Sequence, residues 1–272
     1  MELVGFLISC QAGDPERVDP SGLRSTELRY CRAEGDEVVT TVAEVDVAAL
    51  AEGLPVREFS WHRRQGNYPG WLWTATTGSL VGYESLLERD RVLLADFDPA
   101  VVGIVSQPFW ISGPDDASGG AHRRHVPDYL LSMRDGCHVV VDVKPAVMCV
   151  KPEVAVVLVW TGRVCRAHGW RYEVFHGENP VMMSNLRFLA MGRRSMFLNP
   201  DDLAAVQAVG AAGMTLADIE ADVDGVNRLD VRACALALFW RQSWVTDLSR
   251  PLSSRSVITA VRREEAPCLV SS

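Results

Sequence analysis

Hydrophobic and polar positions alternate most clearly in the middle of the chain, where they predict a β-hairpin. An apolar strand starts at Tyr129, Arg, Asp and Gly supply turn chemistry at 134–136, and a β-branched strand runs over 138–143. Side chains two apart on a strand point to the same face, so Asp142 and Lys144 are expected to stand side by side.

The segments around this hairpin predict an α/β core. Residues 82–96 have the apolar spacing of an amphipathic helix, with a stripe of leucines on one face. The other expected elements are a strand at 37–45, a helix at 46–52 capped by Asp46, strands at 101–105 and 106–111, a loop at 112–121, a strand or helix at 154–160, a strand at 170–175 and a helix at 185–194. This order predicts an α/β (α+β) fold, a mixed sheet flanked by helices.

The C-terminal third has a different pattern, dominated by helices. Asn199 and Pro200 mark a helix start and a domain boundary. The expected elements are helices at 201–212, 216–221 and 230–241 and two strands that pair, at 244–248 and 256–259. Helices followed by a hairpin are typical of a winged helix-turn-helix domain.

Three charged residues gather at the open end of the predicted hairpin. Asp128 begins the first strand, and Asp142 and Lys144 end the second. Strands disfavour Asp and Lys, so packing explains this cluster poorly. Two carboxylates and an ammonium instead suit a reaction with a metal ion and a phosphate. For an isolated Asp-x-Lys, an exposed ion pair worth under ~1 kcal/mol is the alternative.

Composition narrows the class of protein. With 48% hydrophobic residues among 272, the chain can bury a sizeable core. No apolar run approaches the ~20 residues of a membrane helix, and the first four residues lack the basic start of a signal peptide, so we expect a cytoplasmic protein without a membrane partner. Seven scattered cysteines without a Cys-x-x-Cys pair indicate neither a disulfide framework nor a zinc ribbon.

The charge balance limits how the chain can bind nucleic acid. A net charge of −8 argues against a protein that coats nucleic acid by bulk electrostatics. Residues 76–197 carry 13 basic and 13 acidic groups, whereas 198–272 carry 7 and 10. Only two of the 27 basic residues are lysines, Lys144 and Lys151. A compact ammonium can serve a water or phosphate oxygen in ways that a guanidinium does not, which favours a chemical role for Lys144.

Residues 56–73 interleave basic and aromatic side chains, a composition that can grip a nucleic-acid backbone. A turn-rich segment whose tryptophans cover the edge of the core is the alternative. The run from His122 to His125, with Cys137 and His138 nearby, fits no zinc-ligand spacing. The expected DNA-binding residues are His62, Arg63, Arg64, Arg123 and Arg124.

The predicted helix offers two further acids. Glu84 and Glu88 lie four apart and share one helix face. Either could turn toward a metal ion at the N-terminal end of the helix. A solvated face, with Glu88 paired to Arg91, is the alternative that helical spacing alone favours.

Taken together, these motifs resemble a known family. Pro127-Asp128, a strand and turn, and an apolar strand closing on Asp142-Val143-Lys144 look like the PD-(D/E)XK nuclease motif. From about residue 56 to 255, the chain is similar to the TnsA family of transposase endonuclease subunits. The further matching segments are Tyr83-Glu84-Ser85-Leu86-Leu87-Glu88, Asp96-Phe97-Asp98-Pro99 and Gln107-Pro108-Phe109.

The resemblance implies a restriction-endonuclease-like catalytic domain followed by a winged-helix domain. It places the catalytic residues at Glu88, Asp128, Asp142 and Lys144, with Glu84 as the rival of Glu88. The three acids would hold Mg²⁺, for which Mn²⁺ can substitute. The expected domains are 1–75, an N-terminal extension packed on the catalytic domain, 76–198, the endonuclease domain, and 199–272, the winged-helix domain.

The same resemblance implies a function in cut-and-paste transposition. The protein would cut double-stranded DNA at a transposon's 5′ ends, together with an integrase-type transposase subunit and an AAA+ ATPase regulator. It would work in the bacterial cytoplasm, associated with the nucleoid when active. The alternatives are a self-sufficient restriction or repair nuclease and a catalytically silent DNA-binding or scaffold protein.

Overall fold

Helices and strands alternate along the chain in a computed structural model that describes residues 20–57 and 68–262. The elements of its first part are α1 (Pro20–Ser25), β1 (Glu27–Cys31), β2 (Glu37–Thr41), α2 (Val47–Ala51), β3 (Gly70–Trp73), β4 (Leu80–Tyr83), α3 (Leu86–Phe97), β5 (Val101–Ser106), β6 (Trp110–Asp115), β7 (Ala121–His125), β8 (Tyr129–Met133), β9 (His138–Val143), α4 (Ala146–Cys149), α5 (Pro152–His168) and β10 (Arg171–Phe175).

The remaining elements are mostly helical. They are α6 (Pro180–Leu189), α7 (Pro200–Val209), α8 (Leu216–Asp222), α9 (Arg228–Trp240), β11 (Trp244–Val245) and β12 (Ala260–Val261). The chain divides into two units, with Gly177 ending the main part of the first and Asp96–Pro99 assigned to the second. This division lies ahead of the boundary at Asn199, and the domain assignment stays a prediction. None of the described helices is both long enough and apolar enough to cross a bilayer.

Two four-stranded sheets form the framework of the first unit. The first sheet has the order β2-β1-β6-β7 and is antiparallel throughout. The second sheet has the order β10-β9-β8-β5, and β10 runs parallel to β9, which makes this sheet mixed. Together with the helices, these sheets confirm a mixed α/β fold.

The two faces of β9 pack against different neighbours. Val140 belongs to a core cluster with Leu28 of β1 and Trp160 of α5, so its face of the strand points toward the first sheet. Val141 belongs to a second cluster that includes Val92 of α3, on the opposite face. Because side chains alternate along a strand, even-numbered positions of β9 face the first sheet and odd-numbered positions face α3.

The predicted hairpin is confirmed. Strands β8 and β9 pair antiparallel in the register Tyr129↔Val141, and the turn contains Gly136 with a φ of 81°. A left-handed φ of this kind is one that glycine adopts without steric cost. The predicted helix at 82–96 begins later, at Leu86, because Leu80–Tyr83 form β4 and pair with β3.

The predicted loop at 112–121 is wrong at its two ends, where strands cover 112–115 and 121. Strand β6 continues to Asp115 and pairs with β7 through Pro114↔His122. Pro114 lacks a donor, but β1 pairs only with 110–112, so no ladder bond to β1 is lost there. Gly113 is needed because a Cβ would lie 2.8 Å from the Thr26 hydroxyl. Pairing within the β6–β7 hairpin therefore overrides the loop signals of the glycine and proline.

In the second unit, the three predicted helices of the C-terminal third are confirmed as α7, α8 and α9. Gly192 lies against the backbone of α9 at Ala237, where a Cβ has no room. The predicted strand at 256–259 is misplaced, because β11 pairs with β12 at Ala260–Val261. Val257 instead bridges to Thr215, ahead of α8.

Candidate functional site

Asp128 and Lys144 meet at the open end of the hairpin. Asp128 precedes β8 and Lys144 follows β9, so the antiparallel pairing brings them to the same edge of the sheet. The Oδ2 atom of Asp128 accepts hydrogen bonds from the Val143 N–H at 2.6 Å and from Lys144 Nζ at 3.0 Å. The Lys144 N–H donates to Phe175 O at 3.0 Å, which fixes its backbone to β10. Backbone pairing therefore positions both groups.

Glu88 lies in the first turn of α3, where it completes the cap of its own helix. Its Oε1 accepts from the Ser85 hydroxyl at 2.9 Å and its Oε2 from the Glu84 N–H at 2.8 Å, while the Glu88 N–H donates to Ser85 Oγ at 3.2 Å. These bonds satisfy donors that a helix N-terminus leaves open. The Ser-x-x-Glu spacing that contributes to the resemblance to the TnsA family is therefore also the spacing of a helix cap.

The charge of Asp128 also affects the pKa of the Glu88 carboxyl group. Burial, and then the charge of Asp128, raise the pKa of Glu88 from its ordinary value of 4.5 to about 7. Burial raises the pKa of Asp128 more than the Lys144 charge lowers it. Burial lowers the pKa of Lys144, but the charges of Asp128, Asp142 and Glu88 outweigh it, so the net shift is upward. The lysine is therefore a firmly protonated cation among crowded acids.

The two rival glutamates have different partners. The Glu84 carboxylate accepts from Arg57 at 2.5 Å, whereas Glu88 faces the Asp128 cluster. The alternative pairing of Glu88 with Arg91 is wrong, because Arg91 forms a two-pronged pair with Glu173 at 2.8 Å. Geometry favours Glu88 as the acid of the site.

Asp142 is fully buried, and its charge acts on both Asp128 and Lys144, raising the pKa of each. Its carboxylate accepts from His125 Nε2 at 2.8 and 2.9 Å and from the Tyr172 hydroxyl at 2.5 Å. Position 142 is on the even face of β9, toward the first sheet, whereas α3 with Glu88 packs on the odd face. Burial and then the Asp142 charge raise the pKa of Tyr172 far above its ordinary range, so the phenol remains a donor.

His125 and Tyr172 are the residues of the site that the sequence reasoning missed. A usable signal was present, because an Asp inside an apolar strand requires buried donors. The identity of those donors depends on which strands lie beside β9. β10 is a direct neighbour and β7 belongs to the other sheet, and neither placement can be read from local spacing.

Asp128, Glu88 and Asp142 supply the carboxylate oxygens that Mg²⁺ prefers. Their positions fit that role only in part. Among the described residues, no three His, Cys, Asp or Glu side chains are arranged as a metal site. Glu88 and Asp128 fit a hard cation, because their crowding and burial raise the cost of both charges. Asp142 as a metal ligand stays a prediction, since His125 and Tyr172 already bind its oxygens.

The expected DNA-binding residues divide into three groups. His62, Arg63 and Arg64 lie outside the described residues. Arg123 donates to the buried Asp115 at 3.2 Å, so its charge is compensated within the protein. The Arg124 guanidinium lies over the Trp110 ring, 4.1 Å from the ring centroid, on the exposed face of β7.

Comparison of the chain with protein-family models found no match, and comparison with curated proteins found none either. The resemblance to TnsA-type endonucleases therefore depends on the motifs themselves and on the geometry of Glu88, Asp128 and Lys144.

Proposed function

We propose that this protein is a metal-dependent DNA endonuclease of the TnsA type, acting on phosphodiester bonds. The observation that carries the proposal is the Asp128–Lys144 hydrogen bond at the open end of the β8–β9 hairpin, a pair on which the charges of Glu88 and Asp142 also act. Four residues that the motif selected far apart in sequence share one electrostatic environment. Ordinary packing gives no reason to bury two acids and a lysine together.

Glu88 and Asp128 would hold the divalent cation. When bound, Mg²⁺ would lower the pKa of a water and stabilise charge on the phosphate. The expected third ligand, Asp142, reaches the cluster through its charge, which raises the pKa of Lys144. Its oxygens stay with His125 and Tyr172, whose hydrogen bonds orient the carboxylate as the outer partners of a metal ligand do.

Lys144 and Glu88 have distinct roles in this proposal. The Lys144 ammonium, held by Asp128, donates to a phosphate oxygen and offsets the negative charge that grows in the transition state. Glu88, whose pKa is about 7 without a metal, has to lose its proton to bind the cation, so metal binding should weaken below neutral pH. Each role uses a group whose pKa the surrounding acids or burial have shifted.

The second unit fits a winged-helix role in this proposal. Helices α7, α8 and α9 precede the short β11–β12 pair. Thr215, just ahead of α8, forms a β-bridge with Val257, which lies between β11 and β12. We extend the proposal to a subunit of a heteromeric transposase that works on double-stranded DNA with an integrase-type subunit and an AAA+ ATPase. The cellular setting is the bacterial cytoplasm.

A second candidate is a catalytically silent DNA-binding or scaffold protein. The engagement of both Asp142 oxygens by His125 and Tyr172 favours it, since a carboxylate held in this way has less freedom to bind a metal. Metal-dependent turnover separates the two candidates.

The test is nicking of plasmid DNA with Mg²⁺, with Mn²⁺ and with a chelator. We expect cleavage only with metal, and a loss of about a hundredfold or more in Asp128→Asn and Lys144→Ala. Thr215→Ala, in the second unit, serves as a control that perturbs stability and leaves this cluster intact. Full cleavage by both site variants would refute the active-site assignment, and absence of cleavage in every metal, even with the partner subunits present, would favour the silent protein.

A further inference from the structure

The exposed face of the first sheet carries a pocket that the proposed active site does not use. It encloses about 380 Å³, a volume in the range of small-molecule sites. The residues that line this outer-face pocket are Glu27 and Arg29 of β1, Trp110 and Ser112 of β6, and His122 and Arg124 of β7. The opposite face of the same sheet packs into the core through Leu28 and Ile111. The pocket therefore opens away from Asp142.

Arg124 is the residue of the pocket best prepared to bind an anion. Its guanidinium lies 4.1 Å from the Trp110 ring centroid, a contact that orients its plane. No carboxylate in the described ranges, 20–57 and 68–262, forms an ion pair with it. The neighbouring Arg123 contrasts with it, because buried Asp115 binds that guanidinium. Arg124 thus offers an uncompensated, oriented positive charge.

The rest of the lining supplies polar groups but no further positive charge. Arg29 is shared between Glu27 at 3.4 Å and Glu37 at 3.2 Å, so these two carboxylates more than offset its charge and anion binding depends on Arg124. Ser112 lies opposite Arg124 in the β6–β7 register and adds a hydroxyl. The Trp110 ring orients the guanidinium that covers it, and Glu27 adds an acceptor for an exocyclic amine of a base. A planar fork and a hydroxyl beside this acceptor match the phosphate and base edge of a nucleotide.

We propose that the outer-face pocket binds one nucleotide of a nucleic-acid strand, with the phosphate on Arg124 and the edge of the base near Glu27. This contact is separate from the cluster of Glu88, Asp128 and Lys144. The strand as the source of the nucleotide rests on the proposed function, whereas the phosphate chemistry does not. Arg124 lies on β7, and the residue after it, His125, forms the hydrogen bond to Asp142 on the other face of the sheet.

The test compares the full-length protein with Arg124→Ala, Arg124→Lys and Trp110→Leu. The probes are inorganic phosphate, adenosine monophosphate, and a short fluorescein-labelled DNA strand, alone and as a duplex, measured without divalent metal. We expect Arg124→Ala to weaken strand binding about tenfold and to reduce the salt slope by about one. Arg124→Lys should fall between this variant and the wild type, because it keeps the charge but loses the planar fork.

Arg171→Ala is the matched control. It also removes one exposed guanidinium, from β10, where Arg171 pairs with Asp135 at 3.1 Å. We expect less than about a twofold change in strand affinity, since this charge is already compensated. Thermal unfolding of each variant checks that the fold is retained.

The outcomes divide cleanly. Equal losses in Arg124→Ala and Arg171→Ala, an unchanged Arg124→Ala, or no binding of any probe by the wild type would overturn the proposal. Adenosine monophosphate bound as tightly as the strand would identify a free nucleotide and overturn the strand assignment. Arg124-dependent strand binding by a protein that cuts no DNA would leave the pocket assignment standing while the nuclease proposal fails.

Discussion

Glu88 serves two roles that impose opposite requirements on its charge. The carboxylate accepts two hydrogen bonds at the start of α3, which favours ionisation. Burial and the nearby Asp128 favour the neutral acid and prevail, giving a pKa of about 7. Near neutral pH the metal-free protein therefore holds Glu88 in both forms, and binding a cation would favour the ionised form.

The first prediction is that Glu88→Gln stabilises the protein above neutral pH. The pKa of Glu88 is 4.5 ordinarily and about 7 when folded, so the folded state loses stability as pH rises between these values. The variant should gain about 1 to 2 kcal/mol at pH ~8 and almost nothing near pH ~4. Chemical denaturation across pH measures the difference.

The control for this prediction is Glu84→Gln, which removes the partly exposed pair with Arg57. We expect it to change the free energy of unfolding by less than ~1 kcal/mol. Metal-dependent cleavage should fall only in Glu88→Gln. A larger stability gain or a larger cleavage loss in Glu84→Gln would show that Glu84, and not Glu88, is the acid of the site.

The second prediction concerns Tyr172, whose hydroxyl donates to Asp142 at 2.5 Å. Tyr172→Phe leaves one side of a fully buried carboxylate without a donor, so we expect a loss of about 1 to 3 kcal/mol in the free energy of unfolding. Cleavage should also require more Mg²⁺, because the carboxylate is less well oriented. Urea denaturation and a metal titration of cleavage are the measurements.

Tyr68→Phe is the matched control, since Tyr68 is 68% exposed. It should leave stability within ~0.5 kcal/mol of the wild type. Equal stability of the Tyr172→Phe protein would mean that Asp142 does not depend on this hydrogen bond.

At the scale of elements, the start of α3 links helix capping to the proposed chemistry. Ser85 Oγ accepts from the Glu88 N–H and donates to its carboxylate. The donated bond lowers the pKa of Glu88 and so opposes the effect of burial. The cap therefore sets both the local stability of the helix and the protonation of the acid.

The third prediction follows from this link. Ser85→Ala should cost about 1 kcal/mol of stability and shift the acidic limb of the pH–rate profile to higher pH, because Glu88 loses a bond that favours its ionised form. Thr215→Ala removes the comparable cap of α8 and should cost similar stability without moving that limb. An unchanged pH profile in Ser85→Ala would show that the ionisation of Glu88 does not set the acidic limb.

At the scale of the whole molecule, charge opposes independent binding to DNA. The chain carries a net charge of −8, and residues 198–272, which include most of the second unit, contribute 7 basic and 10 acidic groups. Proteins that bind DNA tightly on their own release counterions through many basic contacts. With 35 acidic against 27 basic groups, this molecule lacks the excess of positive charge on which such binding depends.

The fourth prediction is that the protein alone binds DNA weakly, with little preference for transposon ends over random duplexes near physiological salt. Cleavage should be slow in isolation and faster when partner subunits hold the DNA. A binding titration and a cleavage time course on both duplexes measure this. Nanomolar, end-specific binding and cutting by the protein alone would support the self-sufficient nuclease.

Elements with local signals can be predicted from the amino-acid sequence alone. The β8–β9 hairpin follows from alternation and a turn glycine, and the helices of the C-terminal third follow from caps such as Asn199 and Thr215. Motif spacing also selected Asp128, Lys144 and Glu88, which the fold brings together. Such features depend on neighbours within a few residues or on one antiparallel pairing.

The hydrogen-bond partners of the remaining groups follow from long-range packing. Asp142 and Lys144 were expected side by side, and the Asp142 charge does act on Lys144, but the two groups bind different partners. Asp142 accepts from His125 of β7 and Tyr172 of β10, whereas Lys144 donates to Asp128. A one-dimensional pattern specifies which face a residue takes, but the partners on that face come from strands placed by long-range packing.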